Sequence, residues 1–253
     1  LPARPFIYLP QYLWGWIRLL FRRYDLVINA AHHSSSGRLS TRIARARFKT
    51  YGDLPDDVKA SHPDHCHNAK RPVYSLRRYL RSTTDFSRMS PPVPLLDLRL
   101  TILEREHGRN LLEAIIPVSN PVIGIFTYAT REKCLSREWW QRMLSALHTR
   151  FGTSGIVEIL PVQNVSQLDF AVPAFYSRNV REIGALIANT NVFIGADSGM
   201  MHLAVAAQTP VVGLFSVTDP SVFGPYGNGS VAIDTNQKTS VADCIAAVDT
   251  ILR

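Results

Sequence analysis

Mostly apolar runs of strand length alternate with helix-length segments through the second half of the chain. The runs predict strands at residues 122–126, 156–160, 192–196, 211–215 and 230–234. Helical periodicity predicts helices at residues 136–151, 180–188, 199–207 and 240–252. Strands that alternate with helices are typical of a parallel, doubly wound sheet, so the pattern predicts an α/β domain.

The first half repeats this alternation less regularly. It predicts a helix at 13–23, a strand at 26–30, a polar loop and a helix at 38–46. The pattern weakens from residue 50 to 94, where one helix is predicted at 73–81, and a further helix follows at 98–115. We predict an N-terminal domain over residues 1–116 and a C-terminal domain over 117–253, with the boundary near Pro117 to Pro121.

The most informative stretch runs from Asn191 to Gly227. Its first strand leads directly into Asp197-Ser198-Gly199, and Asp and Ser are good N-cap residues for the helix that follows. Pro210 ends that helix before the next strand. The amino end of a crossover helix lies at the carboxyl edge of a parallel sheet, where free amides and the helix dipole favour anions, phosphate above all.

A second polar loop follows the strand at 122–126. It contains Thr127, Thr130, Arg131 and Lys133. The carboxyl ends of parallel strands meet at one edge, so hydroxyls and an ammonium group are predicted beside the first anion site. The two loops together suit a diphosphate, with Lys133 as a point charge on it.

Charge divides the 253-residue chain unevenly. The net charge is +8, and residues 1–116 hold 19 Lys+Arg against 10 Asp+Glu, whereas residues 117–253 hold 9 against 10. The basic half is either a solubilising surface or a face that meets a membrane surface, a phosphorylated glycolipid or a nucleic acid. No nucleic-acid recognition motif accompanies it.

Cysteine and histidine usage points to neither a disulfide framework nor a zinc site. Cys66, Cys134 and Cys244 are odd in number and far apart, which favours a reducing compartment. The segment from His62 to His67 has suitable ligand types, but its spacing matches no structural zinc pattern. No signal peptide is predicted, and the apolar segment at 6–21 is too short to span a bilayer.

Four segments resemble the signature of a known family: Asp197-Ser198-Gly199-Met200-Met201-His202, Thr209-Pro210-Val211-Val212, Thr218-Asp219-Pro220 and Gly224-Pro225-Tyr226-Gly227. Their order and gaps are similar to those of glycosyltransferase family 9, the heptosyltransferases of lipopolysaccharide core assembly and their relatives. The resemblance is weak before residue 120 and strong after residue 179.

The resemblance implies a GT-B fold, in which two Rossmann-like domains with parallel doubly wound sheets face a cleft. The domain at 117–253 would hold a nucleotide-sugar donor, and the domain at 1–116 would hold the acceptor. The family's first strand and its Gly-Asp turn, whose aspartate is the expected general base, have no counterpart here. We therefore expect an incomplete N-terminal domain.

The resemblance also implies a set of site residues. Lys133 would contact the donor phosphates, with Thr130 and Thr127 beside it. The remaining donor-site residues are Asp197, Ser198, Gly199, Met200, Met201 and His202. We expect Lys133 and His202 to take part in an inverting transfer, in which an acceptor hydroxyl attacks the anomeric carbon while the diphosphate leaves. In isolation, His202 could equally be a core histidine that is bonded to a carbonyl.

The implied partners are ADP-heptose and an anionic glycolipid or glycan such as the lipopolysaccharide core. No cofactor is expected, and the lack of an Asp-x-Asp motif predicts a metal-independent enzyme without a metal site. We expect a cytoplasmic protein, with peripheral contact at the inner membrane face left open, and no nucleic-acid partner. The alternative is a non-catalytic nucleotide-sugar or polyanion binding protein that has lost the general base.

Overall fold

A computed structural model describes residues 9–31, 33–83, 91–116, 121–152 and 155–253 of the chain. The chain divides into two compact units, Leu1–Val93 and Pro94–Arg253. The two units thus meet at residues 93 and 94, whereas the sequence predicts a domain boundary between residues 116 and 117. Residues 117–120, where that boundary was predicted, are outside the described ranges. Within those ranges, no helix has the length and apolar character needed to cross a bilayer.

The first unit contains a small parallel sheet with helices around it. Its elements are α1 (Leu9–Phe21), β1 (Arg23–Ile28), α2 (Ser35–Ile43), β2 (Arg45–Thr50), α3 (Asp56–Ser61) and α4 (Arg71–Thr83). Strands β1 and β2 pair in parallel. The predicted strand and helix are both present, but each begins three residues earlier than predicted.

The boundary between α2 and β2 corrects the sequence prediction. The sequence predicts a helix at 38–46. In the structure α2 ends at Ile43, Ala44 is its C-cap with an extended ψ of 138°, and β2 begins at Arg45. Arg45 and Arg47 lie on the exposed side of β2, where charged side chains alternate with half-buried ones.

The second unit is a doubly wound α/β fold. Its elements are α5 (Ile102–Ile115), β3 (Ile123–Phe126), α6 (Arg137–Phe151), β4 (Ile156–Ile159), β5 (Ala174–Phe175), α7 (Val180–Ile187), β6 (Val192–Ala196), α8 (Gly199–Ala206), β7 (Val211–Phe215), α9 (Pro220–Phe223), β8 (Val231–Asp234) and α10 (Ser240–Leu252). All strand pairs are parallel, in the order β5-β4-β3-β6-β7-β8. This is the Rossmann order, and its switch point lies between β3 and β6.

The sheet is buried between two apolar layers. One layer contains Phe193 and Val157 with residues of α5, α7 and α8. The other contains Trp140 and Met143 of α6 with residues of α10. Both faces are covered, which explains why the central strands have continuous apolar runs rather than alternating patterns.

Helix α5 packs on α7. Because of this contact, residues 94–116 are part of the second unit. Gly108 lies against the Ala185 carbonyl, where a Cβ would be 2.2 Å from the oxygen. Arg181 of α7 donates to both carboxylate oxygens of Glu104. Thr101 and Glu104 form a capping box at the start of α5. The close helix contact thus accounts for the difference between the division at residue 93 and the predicted boundary.

Candidate functional site

The predicted phosphate loops leave the sheet at its switch point. Strands β3 and β6 are neighbours, and Phe126 is in register with Gly195. The loop after β3 and the turn after β6 therefore begin side by side at the carboxyl edge, where open α/β sheets bind ligands.

The Asp197 carboxylate is the polar centre of this edge. Lys133 Nζ donates to Asp197 Oδ2 at 2.6 Å, and Thr218 Oγ1 donates to the same oxygen at 2.6 Å. His202 Nε2 lies 3.7 Å from Asp197 Oδ1, an ion-pair distance rather than a hydrogen bond. Asp197 is almost fully buried, whereas the side chains of Lys133 and His202 are about one third exposed, at 31% and 38%. The Lys133 ammonium and the His202 ring are therefore accessible to a ligand, whereas the Asp197 carboxylate is not.

The surroundings of Asp197 favour its charged form. Burial by itself raises the pKa of this carboxyl, but the polar groups of His202, Lys133 and Thr218 and the positive charge of Lys133 outweigh burial. The net result is a pKa well below the usual value of 3.8. Asp197 is thus a fixed negative charge that holds Lys133 and Thr218 at the sheet edge.

Helix α8 presents its amino end to the same place. Ser198 is the N-cap, and its hydroxyl accepts from the Met201 amide at 3.4 Å. A Cβ on Gly199 would meet nothing within 4 Å, so the first turn faces open space. The Met201 side chain is fully buried in the core, and only its backbone belongs to the turn.

A cavity of about 850 Å³ opens beside this turn. The ends of β3, β4, β5 and β6 contribute to its wall, which includes Thr130, Ser198, Gly199, Met200 and His202 of the predicted site. Apolar and aromatic side chains make up much of the remainder, among them Tyr128, Leu160, Val162 and Val180. A concave apolar wall with a few convergent polar groups is typical of a small-molecule site.

His202 lines this cavity rather than the core. Its side chain is partly exposed, and its ring pairs with Asp197 instead of a backbone carbonyl. The core-histidine alternative therefore does not describe this residue.

Thr127 differs from the other predicted site residues. Its side chain is buried, and its hydroxyl donates to Glu158 Oε1 at 2.5 Å. The hydroxyl is therefore directed at the protein interior and not at a ligand. The side chains of Thr127, Lys133, Asp197 and Met201 are not part of the cavity wall.

Sequence reasoning missed two polar residues next to this edge. Glu158 was taken as part of an apolar strand, although a carboxylate within a strand buried on both faces is an unusual feature that could have been noticed. Thr218 was included in a motif without a role, and it binds Asp197 in the structure.

The histidine-rich segment has an ordinary structural explanation. His62 Nδ1 and His65 Nδ1 contact the carbonyls of Val58 and His62. Asp64 accepts from Lys70 and Tyr74. No group of three His, Cys, Asp or Glu side chains suited to a metal ion occurs within the ranges that the structure describes.

Comparison with known proteins identifies related sequences. Residues 177–247 match the family model of "Glycosyltransferase family 9 (heptosyltransferase)". Lipopolysaccharide heptosyltransferase 3 of Escherichia coli is 35% identical over 89 residues, which cover 28% of this chain and 26% of the relative. Lipopolysaccharide core heptosyltransferase OpsX of Haemophilus influenzae is 36% identical over 50 residues, or 20% of this chain and 14% of the relative. The matched segments thus span about a quarter or less of these relatives.

Solved structures extend the likeness to most of the chain. A glycosyl transferase family 9 protein from Veillonella parvula superposes with a TM-score of 0.67 at 16% identity, over 90% of this chain and 73% of that one. The E. coli heptosyltransferase WaaC with ADP gives a TM-score of 0.61 at 17% identity, over 96% and 78%. The GT-B-like α/β fold predicted from the sequence is confirmed. The chain is therefore a glycosyltransferase family 9-like protein, heptosyltransferase-like in the sequence of its C-terminal unit and GT-B-like in fold.

Proposed function

We propose that this chain binds a nucleotide-sugar donor, ADP-heptose in the first instance, and transfers the sugar with inversion to a lipopolysaccharide core or a related anionic glycan. One observation carries the proposal: Lys133, Asp197, His202 and Thr218 meet at the switch point, beside the amino end of α8. The two curated relatives named above are heptosyltransferases, and one solved heptosyltransferase structure contains ADP.

In the proposed reaction, this site stabilises the leaving group. An acceptor hydroxyl forms a bond to the anomeric carbon, the bond from that carbon to the diphosphate breaks, and the electron pair leaves with the diphosphate. The hydroxyl proton passes to a base that we do not assign to a residue of this chain. Lys133, the Thr130 hydroxyl and the first amides of α8 would stabilise the negative charge that develops on the nucleoside diphosphate as this bond breaks.

His202 would act next to the bridging or terminal phosphate oxygens. It lies one turn after Ser198, lines the cavity, and has its Nε2 3.7 Å from Asp197 Oδ1. The apolar cavity wall would receive the nucleoside, since a base and ribose present larger apolar surfaces than a diphosphate.

We place the reaction on the cytoplasmic side of the inner membrane, with no metal ion and no cofactor, as expected from the sequence. The basic residues of the first half would meet the anionic acceptor, because opposite charges raise the rate of encounter.

Thermal unfolding in the presence of ADP, UDP and GDP tests the donor assignment. A ligand at one hundred times its Kd stabilises the folded state by about 2.7 kcal/mol, so ADP is expected to raise Tm clearly. A rise in Tm with UDP or GDP instead of ADP would identify a different donor nucleotide. No change in Tm with any of the three nucleotides would contradict the proposal.

Release of ADP from ADP-heptose in the presence of heptose-deficient lipopolysaccharide tests the transfer step. Nucleotide binding without any acceptor-dependent ADP release would favour the non-catalytic binding protein over the transferase.

A further inference from the structure

Glu158 is a buried carboxylate on β4, the second strand from one edge of the sheet. It lies on β4 between Ile125 of β3 and Ala174 of β5, and its side chain has no solvent exposure. Its neighbours in the strand, Val157 and Ile159, are fully buried and apolar. A charged group in such a position costs folding free energy unless hydrogen bonds compensate it, and where sequence and burial conflict in this way, a functional role is the usual reason.

Two hydroxyls satisfy this carboxylate. Thr127 Oγ1 donates to Glu158 Oε1 at 2.5 Å, and Ser166 Oγ donates to Oε2 at 2.5 Å. The direction of the second bond is fixed, because Ser166 Oγ itself accepts from the amides of Leu168 at 2.9 Å and Phe170 at 3.2 Å. With its acceptor capacity used by the amides, the Ser166 hydroxyl has its proton available for Glu158.

These bonds join the loop after β3 to the loop after β4. Thr127 is the first residue after β3 and leads into the segment with Thr130 and Lys133. The Gln167 amide also approaches Thr127 Oγ1, at 3.4 Å. Because Glu158 lies within the sheet, it anchors the start of the loop after β3 at Thr127 and an interior position of the loop after β4 at Ser166.

Neither loop has a locally favoured backbone. Arg131 has a φ of 56° in the first loop, and Asp169 and Phe170 have φ values of 51° and 58° in the second. Residues other than glycine adopt this left-handed conformation at a cost, so contacts with the rest of the protein must maintain it. The bonds to Glu158 are buried contacts of this kind.

We propose that Glu158 is a positioning residue of the donor site: through Thr127 and Ser166 it sets where Thr130 and Lys133 meet the diphosphate. This inference rests on the proposed function, because it assigns Glu158 a role toward the same ligand. Glu158 is buried and acts only through its two hydroxyl partners. Its effect should therefore appear in diphosphate recognition and not in nucleoside recognition.

A pair of threonine variants separates positioning from general stability. Thr127→Val removes the hydroxyl but keeps the branched shape, and Thr127→Ser keeps the hydroxyl. The affinities for ADP and AMP are measured by calorimetry for both variants, for Glu158→Gln and for the original chain. We expect Thr127→Val and Glu158→Gln to weaken ADP binding about tenfold and AMP binding less than twofold, as one misplaced charge-assisted contact would. Thr127→Ser should bind ADP with the same affinity as the original chain.

Thr190→Val is the matched control. Thr190 is also buried and also donates from its hydroxyl, to the Ile187 carbonyl at 2.8 Å, but it precedes β6 and so lies at the opposite edge of the sheet. The control should leave the ratio of ADP to AMP affinity unchanged. The inference is overturned if Thr127→Val and Glu158→Gln leave that ratio unchanged. It is also overturned if the affinities for ADP and AMP fall by the same factor while Tm falls.

The Lys133→Ala variant distinguishes failure of the inference from failure of the proposed function. If ADP does not bind the original chain, or binds Lys133→Ala equally well, the donor-site assignment itself is wrong. If Lys133→Ala loses ADP affinity while the Glu158 and Thr127 variants do not, only the positioning role of Glu158 is wrong.

Discussion

Lys133 Nζ and Asp197 Oδ2 are 2.6 Å apart, although 64 residues separate them in the chain. The contact joins the loop after β3 to the turn after β6 and holds an ammonium group beside the first turn of α8. Lys133 also lies 5.8 Å from the centre of the Phe223 ring, on the side of α9. The ammonium is therefore oriented before any ligand arrives, which is the preorganisation that electrostatic catalysis requires.

Replacement of Lys133 by alanine should weaken ADP binding by about 1–3 kcal/mol, as expected for the loss of a charge-assisted hydrogen bond. Calorimetry at constant salt measures the difference. Lys238→Ala is the control, because Lys238 is an exposed lysine in the turn after β8 and its replacement removes the same charge. Equal affinities for Lys133→Ala and the original chain would contradict the donor-site assignment.

Asp197→Asn should lower the free energy of unfolding at neutral pH by about 1–3 kcal/mol, because the Lys133 ammonium loses its anionic partner. The pKa of Asp197 lies below its unfolded value of 3.8, so its contribution to stability is fully present above that value. That contribution is lost as the pH falls through the lower, folded pKa.

Urea unfolding at a series of pH values checks this sign. The difference between the original chain and Asp197→Asn should be constant near neutral pH and shrink below about pH 3.8. A difference that grows on acidification would show that the charged form of Asp197 does not stabilise the fold.

Gly108→Ala should destabilise the second unit, because the new Cβ would lie 2.2 Å from the Ala185 carbonyl oxygen between two packed helices. Overpacking of this kind costs about 1–3 kcal/mol and occasionally more. Gly15→Ala is the control: a Cβ there meets nothing within 4 Å in α1, and alanine is the better helix former. A shift in the urea midpoint for Gly15→Ala but not for Gly108→Ala would contradict the close contact of α5 and α7.

Cys244 should resist alkylation in the folded protein, whereas Cys134 should react. Burial raises the pKa of the Cys244 thiol to about 12, and Asp243 adds to the effect, while Cys134 is only partly buried. Iodoacetamide at pH 8, followed by mass spectrometry of the peptides, gives the two rates. Rapid labelling of Cys244 under native conditions would show that α10 does not stay packed on the sheet.

Local sequence patterns predicted most regular elements of the second unit, but not the two-residue strand β5 or the four-residue helix α9. The strands at 192–196 and 211–215 were predicted to the residue. The helix predicted at 136–151 is α6, which has Ser136 as its N-cap and Gly152 as its C-cap. These features depend on side chains close in sequence, on N-cap hydroxyls and on the continuous apolar character of strands covered on both faces. In the first unit, the strand Arg45–Thr50 was not predicted, since only its first four residues alternate between exposed and half-buried side chains.

Sequence alone also identified the two loops whose residues meet at the switch point. Parallel strand order places the carboxyl ends of strands at one edge, and the motif from Asp197 to His202 matched a known family. What it could not specify was the direction of each side chain. Thr127 and Thr130 are close in sequence and alike in chemistry, yet one bonds Glu158 in the interior and the other lines the cavity.

The sequence by itself determined the α/β class, five of the six strands of the second unit, and the family to which its motifs are similar. Only the tertiary structure decided that Asp197 binds Lys133 and Thr218, that Glu158 fastens two loops, and that helix α5 packs with the second unit. The physical reason is range: helices, strands and caps are set by neighbours in the chain, whereas a buried carboxylate finds its partners among residues brought close by packing of the whole sheet.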